Sequence, residues 1–458
     1  MLIRARYVLP ITSTHIEDGA VLVQDGRIKE VGQAQDLIER YPHEELKDFG
    51  LAALMPGFIN AHTKLEMTVM RGLLNDVPYA PWKAYVTAKA QYLSQEEWQT
   101  SARLGAYEAL SSGVTTVADI TKTGASVKAL QELGMRAVIY REVGATASDH
   151  VESQYEAALA TIKKWEAECD STRFYFGLAA APLYTCHPEM LKKLSEYGSD
   201  GSRVAMYLAG SREEYAFIHD GTSAFAIDSR NPRTRAISQL QSRALMPTGV
   251  SPVQYASNWG ILNVDNLLAI YGVHVDENDI NRLKDKGANI VVCPVSTAKL
   301  SMGIAPIMSY RRAGLTVALG TDSAAASDGI DTFEEMKFGM LSQRALANSL
   351  KGNPDLLVAK DMIEMFTIEA AKALGIDDEL GSLDEGKRAD IIAIDLASSH
   401  QIPTHYPNSA IVNTAEREDI RMVMIDGQIQ YEDHTFRSHV DLQKTHDEAE
   451  VIRVKLRL

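Results

Sequence analysis

Hydrophobic and polar positions alternate at both ends of the chain and run together in its middle. Near the start, AVLVQDGRIKEVG (20–32) alternates on either side of Asp25-Gly26, and near the end IRMVMIDGQIQYED (420–433) does the same around Asp426-Gly427. Asp-Gly between alternating runs predicts a two-residue hairpin, because the tight turn needs positive φ. With RADIIAIDL (388–396), these segments predict a small β-sandwich domain built from both termini, 1–54 and 380–458. Between them short apolar runs recur, each followed by a helical stretch. They are LMPGFINA (54–61), VTTVADI (114–120), RAVIYREVG (136–144), FYFGLAA (174–180), RVAMYLA (203–209), LLAIYGV (267–273), NIVVCPV (289–295) and LTVALGTD (315–322). Strands buried on both faces give such continuous runs, and eight β-then-α units predict an α/β fold of the (β/α)₈ TIM-barrel type over 55–379. HDGTSAFAIDSRNPRTR, between the fifth and sixth runs, is expected to form a loop over the barrel mouth.

Composition narrows the partners. The chain has 458 residues, with 46 Lys+Arg against 61 Asp+Glu, a net charge of −15. That balance disfavours nucleic acid and anionic membrane surfaces, leaving a small molecule as the expected partner. The first residues turn polar too soon for a signal peptide, and no run approaches the roughly 18 apolar residues needed to span a bilayer. Cys169, Cys186 and Cys293 form no close pair, so neither a disulfide framework nor a cysteine zinc site is indicated. A cytoplasmic protein with reduced thiols is expected, with Cys186 and Cys293 as buried packing residues.

Several blocks together carry a family resemblance. PGFINAHTKLEMTVMRG, GVTTVADI, YTCHPEML, SREEYAFI, VHVDENDI, CPVSTAKLSMGIAP, GLTVALGTDSAAASDGIDTFEEMK and GSLDEGKRADIIAID resemble the amidohydrolase superfamily. The similarity is greatest to the branch holding cytosine, S-adenosylhomocysteine and aminofutalosine deaminases and the triazine chlorohydrolases. It spans nearly the whole chain and implies the barrel with its terminal β-domain. It also implies a His-x-His pair at the end of the first barrel strand, whose two side chains face one side and grip a metal. Here that pair is His62 and Lys64. Where the fifth strand of relatives ends His-Leu-Ala-Glu, this chain has Tyr207-Leu208-Ala209-Gly210. Tyr271 stands where the sixth strand offers a ligand histidine, with His274 following it, while Gly320-Thr321-Asp322 matches the eighth strand. Ala181 and Val292 replace two further histidines.

A catalytic zinc takes three protein ligands plus water. His62 and Asp322 alone fall short, so no cofactor is predicted. If a metal is bound, those two are its ligands, and zinc or iron is the alternative implied by the resemblance. Lys64 is expected to pair its ammonium with Asp322, or to serve as a catalytic amine or substrate anchor. Tyr207 and Tyr271 are candidate donors to substrate. Glu66, Arg71, Trp82, His274, Ser296 and Ser323 are candidate substrate contacts.

Three readings follow. One is an enzyme acting on a C–N bond of a nucleobase- or guanidine-like molecule by metal-free acid–base chemistry through His62, Lys64, Asp322, Tyr207 and Tyr271. Hydrolysis, deamination, or ring closure or opening would suit such a pocket. The second is an inactive relative that binds a small ligand or partners a homologue. The third is a metal-dependent deaminase with unusual ligands. Lost ligand positions filled by Lys, Tyr and Tyr, rather than by apolar residues, favour the first. The resemblance also implies a homo-oligomer, a homodimer being the simplest form.

Overall fold

The computed structural model describes residues 1–225, 247–347, 355–438 and 441–457. Most of the expected mouth loop (226–235) therefore lies outside the described residues. Five strands come first: β1 (Leu2–Val8), β2 (Ile16–Gln24), β3 (Arg27–Gln33), β4 (Leu46–Asp48) and β5 (Ala52–Pro56). Eight follow with helices between them: β6 (Phe58–Thr63), β7 (Val114–Thr121), β8 (Arg136–Val143), β9 (Phe174–Ala180), β10 (Arg203–Leu208), β11 (Leu268–Tyr271), β12 (Asn289–Val292) and β13 (Val317–Leu319). The last four are β14 (Ile391–Asp395), β15 (Ile420–Ile425), β16 (Gln428–Glu432) and β17 (Thr435–Phe436).

β6 to β13 pair side by side in chain order as one parallel eight-stranded sheet. Its ends meet through a parallel bridge between Thr63 and Asp322, and the Asp322 amide donates to the His62 carbonyl at 3.0 Å. Every residue of β6 and of β7 is buried, which is why these strands read as unbroken apolar runs. The remaining strands form a separate nine-stranded mixed sheet, with β5 parallel to β1 and antiparallel to β14. Both ends of the chain thus contribute to one small β domain.

The two hairpins form as expected. Gln24 pairs with Arg27 and Ile425 with Gln428, and the turn residues Asp25, Gly26, Asp426 and Gly427 have φ of 50°, 74°, 48° and 72°. Two central residues with positive φ make the tight turn that matches strand twist. The run LMPGFINA is not one strand. Leu54 to Pro56 belong to β5 of the small domain, and the barrel begins at Phe58. Gly57 makes the crossing, because a Cβ there would lie 2.1 Å from the Thr115 side chain. The stretch assigned to the terminal domain also ends in a helix, Leu442–Arg457, that lies on barrel helix Gln95–Ser111. Its Lys455 pairs with Glu97, and its Glu448 accepts from Thr100. Among the described residues no helix is long and apolar enough to cross a membrane.

The small domain is fixed to the barrel floor by charge. Arg136, 1% exposed at the start of β8, contacts Asp390 at 3.1 Å and Asp426 at 2.7 Å, and Arg173 reaches Asp426 at 2.8 Å. Although burial opposes its charge, Asp390 and Asp426 outweigh that and push the Arg136 guanidinium above its ordinary pKa. Replacing Arg136 by Met would strand the buried Asp390 carboxylate, while Asp426 keeps Arg173, and is expected to destabilise the protein by about 3–5 kcal/mol in urea unfolding. A loss below about 1 kcal/mol would show that the network does not tie the domains.

Candidate active site

At the C-terminal ends of the barrel strands lies a two-lobed cleft. The inner lobe, about 300 Å³, is lined by Lys64, Trp82, Tyr207, Tyr271, Asp322 and Ser323 among others. An outer lobe of about 290 Å³, reached past Lys83, Thr87, Lys122 and Pro182, adds Arg141 and Glu142.

The two cation-facing carboxylates divide their partners. Lys64, one residue beyond β6, was expected to pair with Asp322. Instead its Nζ lies 2.8 Å from Oε2 of Glu142, near the end of β8, while Lys122 sits 3.0 Å from the other oxygen. Asp322 is already occupied. Tyr271 donates its hydroxyl to Oδ2 at 2.8 Å and the Ser323 amide donates to Oδ1 at 2.7 Å. Burial alone would raise the Glu142 carboxyl, but Lys122, Lys64 and Lys83 outweigh it and hold it well below the carboxylate range. Burial likewise opposes the Lys64 charge, yet Glu142 pushes the amine well above its ordinary value. The Glu142 contact therefore favours the ammonium form of Lys64.

His62 is 1% exposed, with Nε2 3.8 Å from Asp322. Burial, with Lys64 adding to it and Asp322 opposing, lowers its pKa to about 4, so the ring is neutral. Neither ring nitrogen has a hydrogen-bond partner among the described residues, and the buried Tyr207 hydroxyl faces the Lys64 ammonium. Buried polar atoms are normally satisfied, so the two open ring nitrogens beside Asp322 leave places for a ligand's polar atoms. Tyr207 and Tyr271 stack at 5.7 Å, and Lys64 Nζ is 5.3 Å from the Tyr207 ring centre. Ala209, Tyr271 and Asp322 all hold positive φ (51°, 82° and 58°), a strained conformation that clusters at functional sites. Gly210 is glycine for a steric reason, since a Cβ there would lie 2.7 Å from the Tyr271 ring.

The other candidates separate. Trp82 and Ser323 line the inner lobe, the Trp82 indole donating to the Ala325 carbonyl at 3.1 Å. Glu66 also lines it, but its carboxylate is occupied by the Thr121 and Thr123 hydroxyls and the Lys122 and Thr123 amides, so it anchors the turn after β7. Three candidates do not line the cleft. Arg71 pairs with Glu108 at a different depression beside Arg417. His274 Nε2 lies 2.7 Å from the Met302 carbonyl and borders a separate hollow with Asp276. Ser296 is buried in helix Pro294–Lys299 and donates to the Cys293 carbonyl. Conversely, Glu142, Lys83, Lys122 and Arg141 are cleft residues that sequence reasoning passed over. Glu142 and Lys122 carry a usable signal, a charge at the C-terminal end of a barrel strand.

The donors do not fit a three-ligand catalytic zinc. Among the described residues no three His, Cys, Asp or Glu side chains converge. His62 and Asp322 are the two that match the family's ligand positions, and the ammonium of Lys64 has no lone pair to give.

The amidohydrolase family profile matches residues 53–430, and a bacterial imidazolonepropionase-like composite-domain profile matches 19–43. The chain is 30% identical over 447 residues to the 5-methylthioadenosine/S-adenosylhomocysteine deaminase of Symbiobacterium thermophilum, covering 94% of each. It is 31% identical over 436 residues to the enzyme of that description from Thermodesulfovibrio yellowstonii, covering 93% of this chain and 92% of that one. Its fold matches a zinc-bound adenosine deaminase from Xanthomonas campestris with TM-score 0.84, at 24% identity and 100% and 98% coverage. A zinc-complexed atrazine chlorohydrolase from Arthrobacter aurescens TC1 matches with TM-score 0.82, at 22% identity and 99% of both chains.

The buried pair has a measurable signature. Lys64→Met or Glu142→Gln alone is expected to cost about 3–5 kcal/mol, with the double variant recovering part of it. Lys64→Met and Asp322→Asn should add to within about 0.5 kcal/mol, since they do not pair. Because Glu142 is held below its ordinary range when folded, its contribution is complete above that range and is lost as pH falls through the folded value. Denaturant unfolding at descending pH should show that loss in wild type and not in the double variant.

Proposed function

This chain belongs to the amidohydrolase family, and we propose that it is an enzyme acting at a C–N bond of a small nucleoside- or nucleobase-like compound by acid–base chemistry of its own side chains. Membership of an enzyme family and deaminase-named relatives along nearly the full length support an enzymatic role. The observation that carries the metal-independent part is the Lys64–Glu142 pair, which puts a fixed cation beside His62 where the family's second strand-one ligand stands.

In this reading the planar substrate lies in the inner lobe against Trp82 and the stacked tyrosines. Asp322, held by Tyr271, accepts a proton from the attacking water and returns it to the departing nitrogen, while neutral His62 beside it offers a ring nitrogen to the substrate. Lys64 and the Tyr207 hydroxyl beside it stabilise the negative charge that gathers on the ring. Zinc-assisted deamination, as the zinc-bearing neighbours suggest, is the competing reading, and it would need ligands beyond His62 and Asp322.

Screening purines, pyrimidines, ureido compounds and guanidines should reveal a substrate. Lys64→Met, His62→Asn, Tyr207→Phe and Asp322→Asn are each expected to fold and to lose roughly 10²–10⁴-fold in kcat on it. Binding without product in wild type, or turnover unaltered in these variants, would defeat the proposal.

A further inference from the structure

Three lysine amines meet one carboxylate where the two lobes join. Glu142 gives one oxygen to Lys64 at 2.8 Å and the other to Lys122 at 3.0 Å. Lys83, half-buried on helix Tyr79–Ala90, lines both lobes and makes no ion pair among the described residues. It is the amine left without a counter-charge. The charged groups around it come from four strand ends. Lys64 follows β6, Lys122 follows β7, Arg141 and Glu142 belong to β8, and Asp322 follows β13. Arg141 is turned to the backbone carbonyl of Glu142, and Asp322 is held by Tyr271.

An amine in that position gives up its proton readily. Burial acts first, and Lys64 and Lys122 add to it against the attraction of Glu142 and Asp322, holding the Lys83 amine down at about 7. A lysine that is neutral near pH 7 keeps a free lone pair and is a nucleophile. The same Lys64 and Lys122 ammonium groups that repel a proton on Lys83 would stabilise an alkoxide formed when its lone pair adds to a carbonyl carbon.

We propose that Lys83 is a nucleophilic amine that captures an aldehyde in the cleft as an imine. The nitrogen lone pair forms the new C–N bond, and the carbonyl electron pair moves to oxygen. The carbinolamine then loses that oxygen as water, which carries away both amine protons and leaves a C=N bond. The step needs no oxidant or reductant, and water reverses it. The body of the aldehyde would lie in the inner lobe, which Lys83 lines together with Trp82. Imine formation is separate from the C–N reaction proposed above and does not depend on it.

Trace acetylation of the full-length protein with acetic anhydride over a range of pH, read by peptide mass spectrometry, reports the reactivity of each lysine. At neutral pH Lys83 is expected to react at least about tenfold faster than Lys163, on the exposed face of helix Val151–Glu168. Its rate should reach half of its maximum near pH 7. Lys122→Gln removes a repelling charge and frees a Glu142 oxygen, so it should raise that midpoint by about one pH unit. Acetaldehyde, and separately benzaldehyde, with cyanoborohydride at neutral pH should leave a reduced adduct on Lys83 that is absent from Lys83→Arg. The wild-type readouts decide the matter even where Lys83→Arg fails to fold. Acetylation of Lys83 no faster than that of Lys163, a midpoint unmoved in Lys122→Gln, or fast acetylation without any aldehyde adduct would overturn the proposal. Turnover enters none of these readouts, so failure of the C–N reaction would leave them unchanged.

Discussion

A buried ammonium must find a counter-charge, because leaving it unpaired in a protein interior costs several kcal/mol. In this barrel the ammonium belongs to Lys64 and the counter-charge to Glu142, 3% exposed by side chain and two strands away. Much of the mouth follows from that choice. With Lys64 drawn toward β8, Asp322 is left to Tyr271, whose hydroxyl takes the carboxylate at 2.8 Å. Tyr271 then fills the space over Gly210, where a side chain would collide with its ring. His62 stays neutral between them, with both ring nitrogens unspent. Asp322 also closes the barrel through its bridge to Thr63, so the same few residues hold the scaffold and face the cavity.

The two lobes of the cleft differ in chemistry. The inner lobe is aromatic, with Trp82, Tyr207 and Tyr271 around one held carboxylate, and suits a planar ring. The outer lobe is cationic and polar. Relatives along the full length are named as 5-methylthioadenosine/S-adenosylhomocysteine deaminases. The proposed chemistry keeps such a ring and replaces the metal's charge with a side-chain ammonium.

Architecture was legible in the sequence because it depends on repeating patterns. All eight apolar runs contain a barrel strand, and both Asp-Gly turns sit in hairpins with the required positive φ. The first run misled only at its boundary, since two strands from different sheets abut at Gly57 with no polar break between them. The site was legible in position along the chain but not in pairing. His62, Lys64, Tyr207, Tyr271 and Asp322 are brought together, yet the partner of Lys64 lay outside the residues considered. Glu142 occurs inside the strand-like run RAVIYREVG, and which residues of β8 meet β6 across a closed barrel is not written in local periodicity. Arg71, His274 and Ser296 were placed by the blocks that carry the family resemblance. In the structure Arg71 and His274 border other hollows, and Ser296 is buried within its own helix.

The central claim is that a fixed ammonium, paired with Glu142, occupies the ground that a catalytic metal would need. Metal content tests it most directly, on protein produced in zinc-supplemented medium and dialysed extensively before elemental analysis. The account predicts well below one equivalent of zinc, iron or manganese per chain, unchanged by His62→Asn. About one equivalent retained by wild type and lost from His62→Asn and Asp322→Asn would contradict it.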